Sequence, residues 1–156
     1  MKCLFISLSL LWMSCSSPRY LYIVRHAEKL DNTPYSVLSS QGHQRAIRLK
    51  DSLIGKNINL IFATTFQRTQ ETAQPLVAAL NKPLLIYRNN AVDSIVIVLK
   101  QNKSKNILLV AHSGNIPSII KGYSGITVKA IEENEYNRFF IFKITKRNTE
   151  LIEKKY

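Results

Sequence analysis

Apolar and polar positions alternate in blocks along this chain, and the block lengths predict alternating strands and helices. Residues 20–24 (Tyr-Leu-Tyr-Ile-Val) are β-prone and read as a buried strand. Residues 27–38 are polar, carry Asp31, Asn32 and Pro34, and read as a loop. Ser39 or Ser40 can cap a helix with apolar positions Ala46, Ile47, Leu49, Leu53 and Ile54, ended by Gly55-Lys56-Asn57. Residues 58–63 form a second strand. Thr64 or Thr65 can cap the next helix, whose face is Thr69, Ala73, Leu76, Val77 and Leu80, with Pro75 expected to kink or divide it. Residues 84–87 read as a short strand and 91–101 as a helix. Residues 106–111 are nearly all apolar, as in a central parallel strand. Ser113 should open a helix over 113–122. Residues 139–143 form a last strand, with a further edge strand over 150–153.

Strands alternating with helices predict an α/β fold, a three-layer α/β/α sandwich with a mainly parallel sheet. The 156 residues, 46% of them apolar, suit one domain with a full core.

The first residues break this pattern. Met1-Lys2 is followed by an apolar or small run over 3–13 and then Ser14-Cys15-Ser16-Ser17-Pro18. The run is too short for a comfortable membrane span and reads as a secretory signal. The Cys after it resembles a bacterial lipoprotein cleavage site, with Trp12 where such sites prefer Leu. An ordinary signal peptide or a buried N-terminal segment are the alternatives. The expected organisation is a signal peptide over 1–14, a tether over 15–19 with Cys15 lipidated as the mature first residue, and one domain over 20–156. The expected location is exported and membrane-anchored, in the periplasm or on the cell surface. About four tether residues at roughly 3.3–3.6 Å each would keep the domain near its membrane. Cys3 would leave with the signal, so no disulfide and no cysteine metal site would remain.

The formal charge is +12, from 22 Lys+Arg against 10 Asp+Glu. Such an excess favours anionic partners. The basic residues are scattered, without a long basic run or a basic-aromatic RNA motif, which argues against nucleic acid.

The candidate chemistry lies at the strand ends. Arg25-His26 follows the first strand, Arg68 lies just after the second, and His112 follows the apolar run over 106–111. Ligands of parallel sheets gather beyond the carboxyl ends of the strands, so two His and two Arg should converge there. Arg binds two phosphate oxygens at once. Helix starts near Thr65 and Ser113 would add backbone donors. Neutral imidazole is a nucleophile, and attack on phosphorus gives a phosphohistidine. Neighbouring arginines disfavour the protonated ring and would neutralise transition-state charge. His26, His43 and His112 lack metal-ligand spacing, and His43 reads as a helix-surface group. Val110-Ala111-His112-Ser113-Gly114 lacks the first glycine of a nucleophile elbow, which argues against a serine hydrolase.

Four ordered elements carry a family resemblance. They are Val24-Arg25-His26-Ala27-Glu28, Leu38-Ser39-Ser40-Gln41-Gly42-His43-Gln44-Arg45-Ala46, Thr64-Thr65-Phe66-Gln67-Arg68-Thr69-Gln70-Glu71-Thr72-Ala73 and Val110-Ala111-His112-Ser113-Gly114-Asn115. Together they resemble the histidine phosphatase, or phosphoglycerate mutase-like, superfamily, with Ala27 where its Arg-His-Gly signature has Gly. The resemblance implies a phosphoglycerate mutase-like fold, with His26 as nucleophile and Arg25, Arg68 and His112 completing a phosphate pocket. Asn32 and Ser113 would add phosphate contacts. It implies no cofactor and no metal. The family's general acid has no clean match. Glu28 and Asp93 are the nearest candidates, Glu133 and Glu135 remoter ones; Glu28 could instead pair with an arginine and hold it in place, and Gln70 and Glu71 read as helix-surface groups. Residues 83–106 are too few for the mutase insertion, which argues against mutase or phosphotransfer activity. The expected function is a metal-independent phosphatase acting on a phosphorylated small molecule or phosphoprotein, with a non-catalytic phosphate-binding module as the alternative.

Overall fold

The computed structural model describes residues 17–102 and 105–156. The expected signal segment and Cys15 lie outside the described residues. Six strands and four helices follow in the order β1 (Arg19–Arg25), α1 (Ser40–Leu53), β2 (Ile58–Thr64), α2 (Gln67–Leu80), β3 (Leu84–Tyr87), α3 (Val92–Gln101), β4 (Asn106–Ala111), α4 (Ile116–Ser124), β5 (Arg138–Ile144) and β6 (Thr149–Lys155). They form one sheet in the order β3-β2-β4-β1-β5-β6. The first four strands of that order run parallel, and β5 and β6 are antiparallel additions at one edge. Among the described residues no helix is long and apolar enough to cross a membrane.

The strand period of two divides the core into two layers. Leu21 and Ile23 of β1, Ile107 and Leu109 of β4, and Phe140 and Phe142 of β5 pack with α3 and α4. Tyr22, Val24, Leu108, Val110 and Phe139 face the other way, towards α1 and α2. The chain crosses from β1 over β4 to β2 and β3, then returns from β3 to β4. Parallel crossovers are right-handed, so reversing direction moves the helices to the opposite face. This is the expected three-layer sandwich. β4 lies between β2 and β1, buried on both faces, as its unbroken apolar run requires.

Helix α1 starts as expected, with the Ser39 side chain accepting the Gly42 N–H at 3.1 Å. Its Ile47 and Ile54 were expected on the core face but are exposed, leaving Ala46, Leu49 and Leu53 to fill it. Helix α2 departs from expectation twice. Neither Thr64 nor Thr65 is its N-cap. Phe66 takes that position without a side-chain cap, and the Thr64 hydroxyl, which meets Thr69 and His112, accepts the Phe66 N–H just ahead of the helix at 3.3 Å. Pro75 does not divide it either. A proline removes one backbone donor, and the buried Thr72, Ala73 and Leu76 hold the flanking turns on the core. Ser113 does not open α4. Residues 113–115 form a turn, and the helix starts at Ile116 with proline in its first turn.

The 27–38 loop is pinned at both ends. Ala27 N–H donates to Thr72 Oγ1 at 2.9 Å, and Leu38 N–H donates to Glu71 Oε2 at 2.7 Å. Glu71 therefore holds the loop rather than standing as a free surface group. Gln70 likewise reaches back, donating to the Thr65 carbonyl at 3.1 Å. An antiparallel bridge between Lys29 and Leu38 closes the loop. The first turn of α1 then lies directly against the Glu28 backbone, and a Cβ at Gly42 would run into the Glu28 carbonyl oxygen. Gly42→Ala should therefore lower stability by about 1–3 kcal/mol, the usual cost of overpacking. Urea unfolding of the variant beside wild type measures this.

Candidate active site

Three neighbouring strands, β2, β4 and β1, end on site groups. β2 ends at Thr64, and His112 and His26 follow β4 and β1 directly. Arg25 pairs in register with Ala111, and the His26 N–H donates to the Ala111 carbonyl at 2.9 Å. The two imidazoles are thus side by side, with ring centroids 5.2 Å apart at an edge-on angle of 62°. Both are buried, His26 to 3% and His112 to 9% exposure.

Each ring is oriented by its neighbours. His26 Nδ1 lies 2.8 Å from the Ala27 carbonyl oxygen. That oxygen can only accept, so Nδ1 carries the proton and Nε2 keeps its lone pair. His112 Nε2 lies 2.9 Å from Thr64 Oγ1, which is 2.9 Å from Thr69 Oγ1. The His112 N–H donates to Asn115 Oδ1 at 2.9 Å, and Asn115 Nδ2 donates to Asn89 Oδ1 at 2.9 Å. The loop after β3 is thereby tied to the His112 turn. Phe66 packs edge-on against His112 at 5.2 Å.

The arginines supply the charge. Arg25 is 4% exposed, and its Nη1 donates to the carbonyls of Glu132, Glu133 and Glu135 at 2.9, 2.7 and 3.2 Å. Its guanidinium lies over the Tyr136 ring, 4.2 Å from the centroid. Arg68 Nη1 donates to the Pro34 carbonyl at 2.7 Å, and its guanidinium covers Phe66 at 4.4 Å. Neither arginine forms an ion pair among the described residues. The Nε atoms of both are buried without a hydrogen-bond partner. A buried guanidinium N–H left unpaired is costly, which identifies both as donors suited to an anion.

Burial, the charge of the second ring, and Arg25 and Arg68 lower His26 to about 3 against a weaker upward pull from the Ala27 carbonyl. Burial, then Arg68 and Arg25, lower His112 to about 4. Both rings are therefore neutral at pH 7. Arg68 is itself lowered, by burial and then by repulsion from Arg25. An anion between the two guanidiniums would relieve that repulsion.

The other sequence candidates are placed differently. The Glu28 carboxylate accepts from Arg45 Nε and Nη2 at 2.6–2.9 Å. Burial alone would raise its pKa, but the Arg45 bonds and charge hold it below the usual carboxylate range. That is the environment of a fixed anion, unlike that of a proton donor. Asp93 is exposed in the first turn of α3. Asn32 is exposed and accepts from Lys29 Nζ at 3.3 Å, and Ser113 is half-buried in the turn before α4. His43 is exposed on α1. Among the described residues no three His, Cys, Asp or Glu side chains lie together as a metal-holding group. Thr64, Asn115 and Tyr136 are site neighbours that motif reading did not single out. Thr64 and Asn115 stand inside the motifs, where their strand-end and turn positions are the available signal. Tyr136 lies outside them and offers none. A cavity of about 980 Å³ opens at the other end of the sheet, where Arg19, Asn57, Asn106 and Tyr123 line it. Among the described residues its lining holds no histidine or carboxylate, whereas the candidate site lies at the histidine end.

Residues 21–89 match the model of the histidine phosphatase superfamily (branch 1). The matched stretch carries Arg25, His26 and Arg68, and the fold supplies His112 beyond it. Solved structures share that fold. The protein histidine phosphatase SixA, complexed with tungstate, superposes with a TM-score of 0.72 at 16% identity, over 87% of this chain and 96% of its own. A putative α-ribazole-5'-P phosphatase from Escherichia coli gives 0.69 at 16% identity, over 88% and 97%. Phosphoserine phosphatase from Entamoeba histolytica gives 0.61 at 16% identity, over 85% and 94%. No curated protein matches the sequence.

The two histidines also make stability depend on pH. Their folded values, about 3 and about 4, lie below the ordinary 6.5 of an unfolded chain. Between those limits the unfolded state binds more protons than the folded one, so acidification favours unfolding. The histidine contribution should be complete above about pH 6.5 and decline as pH falls from there towards 4 and 3. Urea titrations over pH 4–8 should show this decline, and a His26→Gln/His112→Gln double variant should show less of it.

Proposed function

We propose that this protein is a metal-independent phosphatase of the histidine phosphatase type, with His26 as its nucleophile. The observation that supports this best is a neutral, buried imidazole with a free Nε2 beside two unpaired arginines whose Nε donors lack partners. Nε2 attacks phosphorus, the bond to the leaving oxygen breaks, and a phosphohistidine forms. Arg25 and Arg68 hold the phosphoryl oxygens and neutralise the charge of the transition state. His112, held by Thr64, contributes a further ring nitrogen to the pocket. Water then attacks phosphorus, releases orthophosphate and restores His26.

The segment between β3 and β4 is only the ten-residue α3 with short connections, so no inserted lid is built there. With so short a segment there, phosphomonoesters and phosphohistidine are the proposed class. A phosphoramidate needs little help in expelling its leaving group. The fold likeness to SixA, a protein histidine phosphatase, is compatible with that choice. The position of Glu28 favours a second reading, a phosphate-binding module without turnover, since Arg45 holds the carboxylate nearest in sequence to His26.

Two measurements decide. His26→Ala should reduce hydrolysis of 4-nitrophenyl phosphate in EDTA by roughly 10³-fold or more, as loss of a nucleophile does. Acid-labile, alkali-stable phosphate should be trapped on wild type and not on the variant. Phosphate binding with neither turnover nor trapping would instead support the module.

The N-terminal reading is also a proposal, supported by the apolar run over 3–13 and the Cys that follows it. Cys15 would be lipidated and anchor the exported domain to a membrane. Fatty-acid labelling of the protein in a bacterial host should disappear in Cys15→Ser. Persistent labelling would refute the anchor.

A further inference from the structure

Phosphoryl transfer to His26 from an alcohol-derived ester needs a proton for the departing oxygen, and the nearby carboxylates are either paired with a cation or exposed. Glu28 is paired with Arg45 at 2.6 Å. Glu133 is 83% exposed, with Lys29 3.8 Å away. Glu135 lies 3.7 Å from Arg138 and accepts the Glu132 N–H at 3.1 Å. Tyr136 is different. Its ring centroid lies 6.1 Å from that of His26, and its face is covered by Arg25. Three carbonyls of the segment just before it are bound to Arg25 Nη1, so the guanidinium that faces the pocket also fixes the phenol.

The geometry points to Tyr136 as the proton donor to the leaving group, an inference that rests on the phosphatase reading above. As the bond from His26 Nε2 to phosphorus forms and the P–O bond breaks, the Tyr136 O–H proton passes to the departing oxygen, which leaves as an alcohol. The phenolate left behind belongs to the ring that Arg25 covers, and that guanidinium offsets its charge. In the second step water attacks phosphorus and gives its proton to the phenolate. The N–P bond breaks, orthophosphate departs, and both Tyr136 and His26 return to their starting states. Tyrosine is among the side chains able to act this way.

The test compares wild type, Tyr136→Phe and His26→Ala as full chains, on a series from 4-nitrophenyl phosphate to simple alkyl phosphates. Phenylalanine keeps a ring under Arg25 and removes only the hydroxyl. The expected result is a change within about 3-fold for the activated aryl ester and a fall of roughly 10²–10⁴-fold for alkyl esters. Sensitivity to leaving-group basicity should therefore steepen. An equal effect on every substrate, or no effect on any, overturns the role of Tyr136. Inactive wild type on the whole series, or full activity in His26→Ala, overturns the phosphatase reading itself.

Discussion

The site depends on the parallel pairing of β1 with β4. Arg25 lies opposite Ala111 in that ladder, and the His26 N–H closes onto the Ala111 carbonyl. The next residue of each strand is a histidine, so the 5.2 Å separation of the rings follows from register. A slip of one residue would exchange the faces of every side chain on a strand. Both faces of these strands are apolar core, so slippage is opposed by side-chain shape rather than polarity: Leu21 and Ile23 pack under α3 and α4, Tyr22 and Val24 under α1 and α2. Each fully buried aliphatic side chain contributes about 1.5–3 kcal/mol. The register is thus held by many residues remote from the chemistry.

Around this pairing the charges are sorted. Carboxylates close to the pocket have their own cations: Glu28 has Arg45, Glu135 has Arg138, and Lys29 stands near Glu133. Arg25 and Arg68 receive only carbonyl acceptors and aromatic faces. Carbonyl oxygens orient a guanidinium without cancelling its charge, so the field at the pocket stays positive. The same field, added to burial, keeps the histidines neutral. Positive surroundings and neutral imidazoles are two results of one arrangement.

Strand boundaries were legible because apolar runs report burial directly. The run at β4 indicated a central strand, and the structure places it between β2 and β1. Arg25, His26 and His112 were legible because they stand directly at strand ends, where position follows from the sheet. Arg68 follows one helical turn on. Gly42 was legible as part of a motif, and its reason, contact with the Glu28 backbone, needed the fold. The errors have a common cause. Thr64 fits a cap rule based on neighbours in sequence, but its hydroxyl is taken by His112, 48 residues away. Glu28 is close to His26 in the chain, and of its two readings, proton donor or partner of an arginine, the fold supplies the second, through Arg45 on α1. Tyr136 is 110 residues from His26 and outside every motif, so only folding brings the two together.

The pocket is also where this fold gives up stability. Below about pH 6.5 two imidazoles resist the proton they would ordinarily take, and two guanidinium N–H groups lack partners among the described residues. None of this benefits the empty protein. An anion seated between Arg25 and Arg68 would supply acceptors for both Nε donors and reduce the repulsion that lowers Arg68. It would therefore bind the folded chain in preference to the unfolded one, and stabilise it by mass action. In the proposed phosphoryl transfer the balance would change again, as charge grew on oxygens held by these donors. Donors held in place by Glu132, Glu133, Glu135 and Pro34 carbonyls need little reorganisation as that charge develops. The strain tolerated without ligand and the advantage expected in the transition state have the same structural origin: arginines fixed by backbone and left without counter-ions.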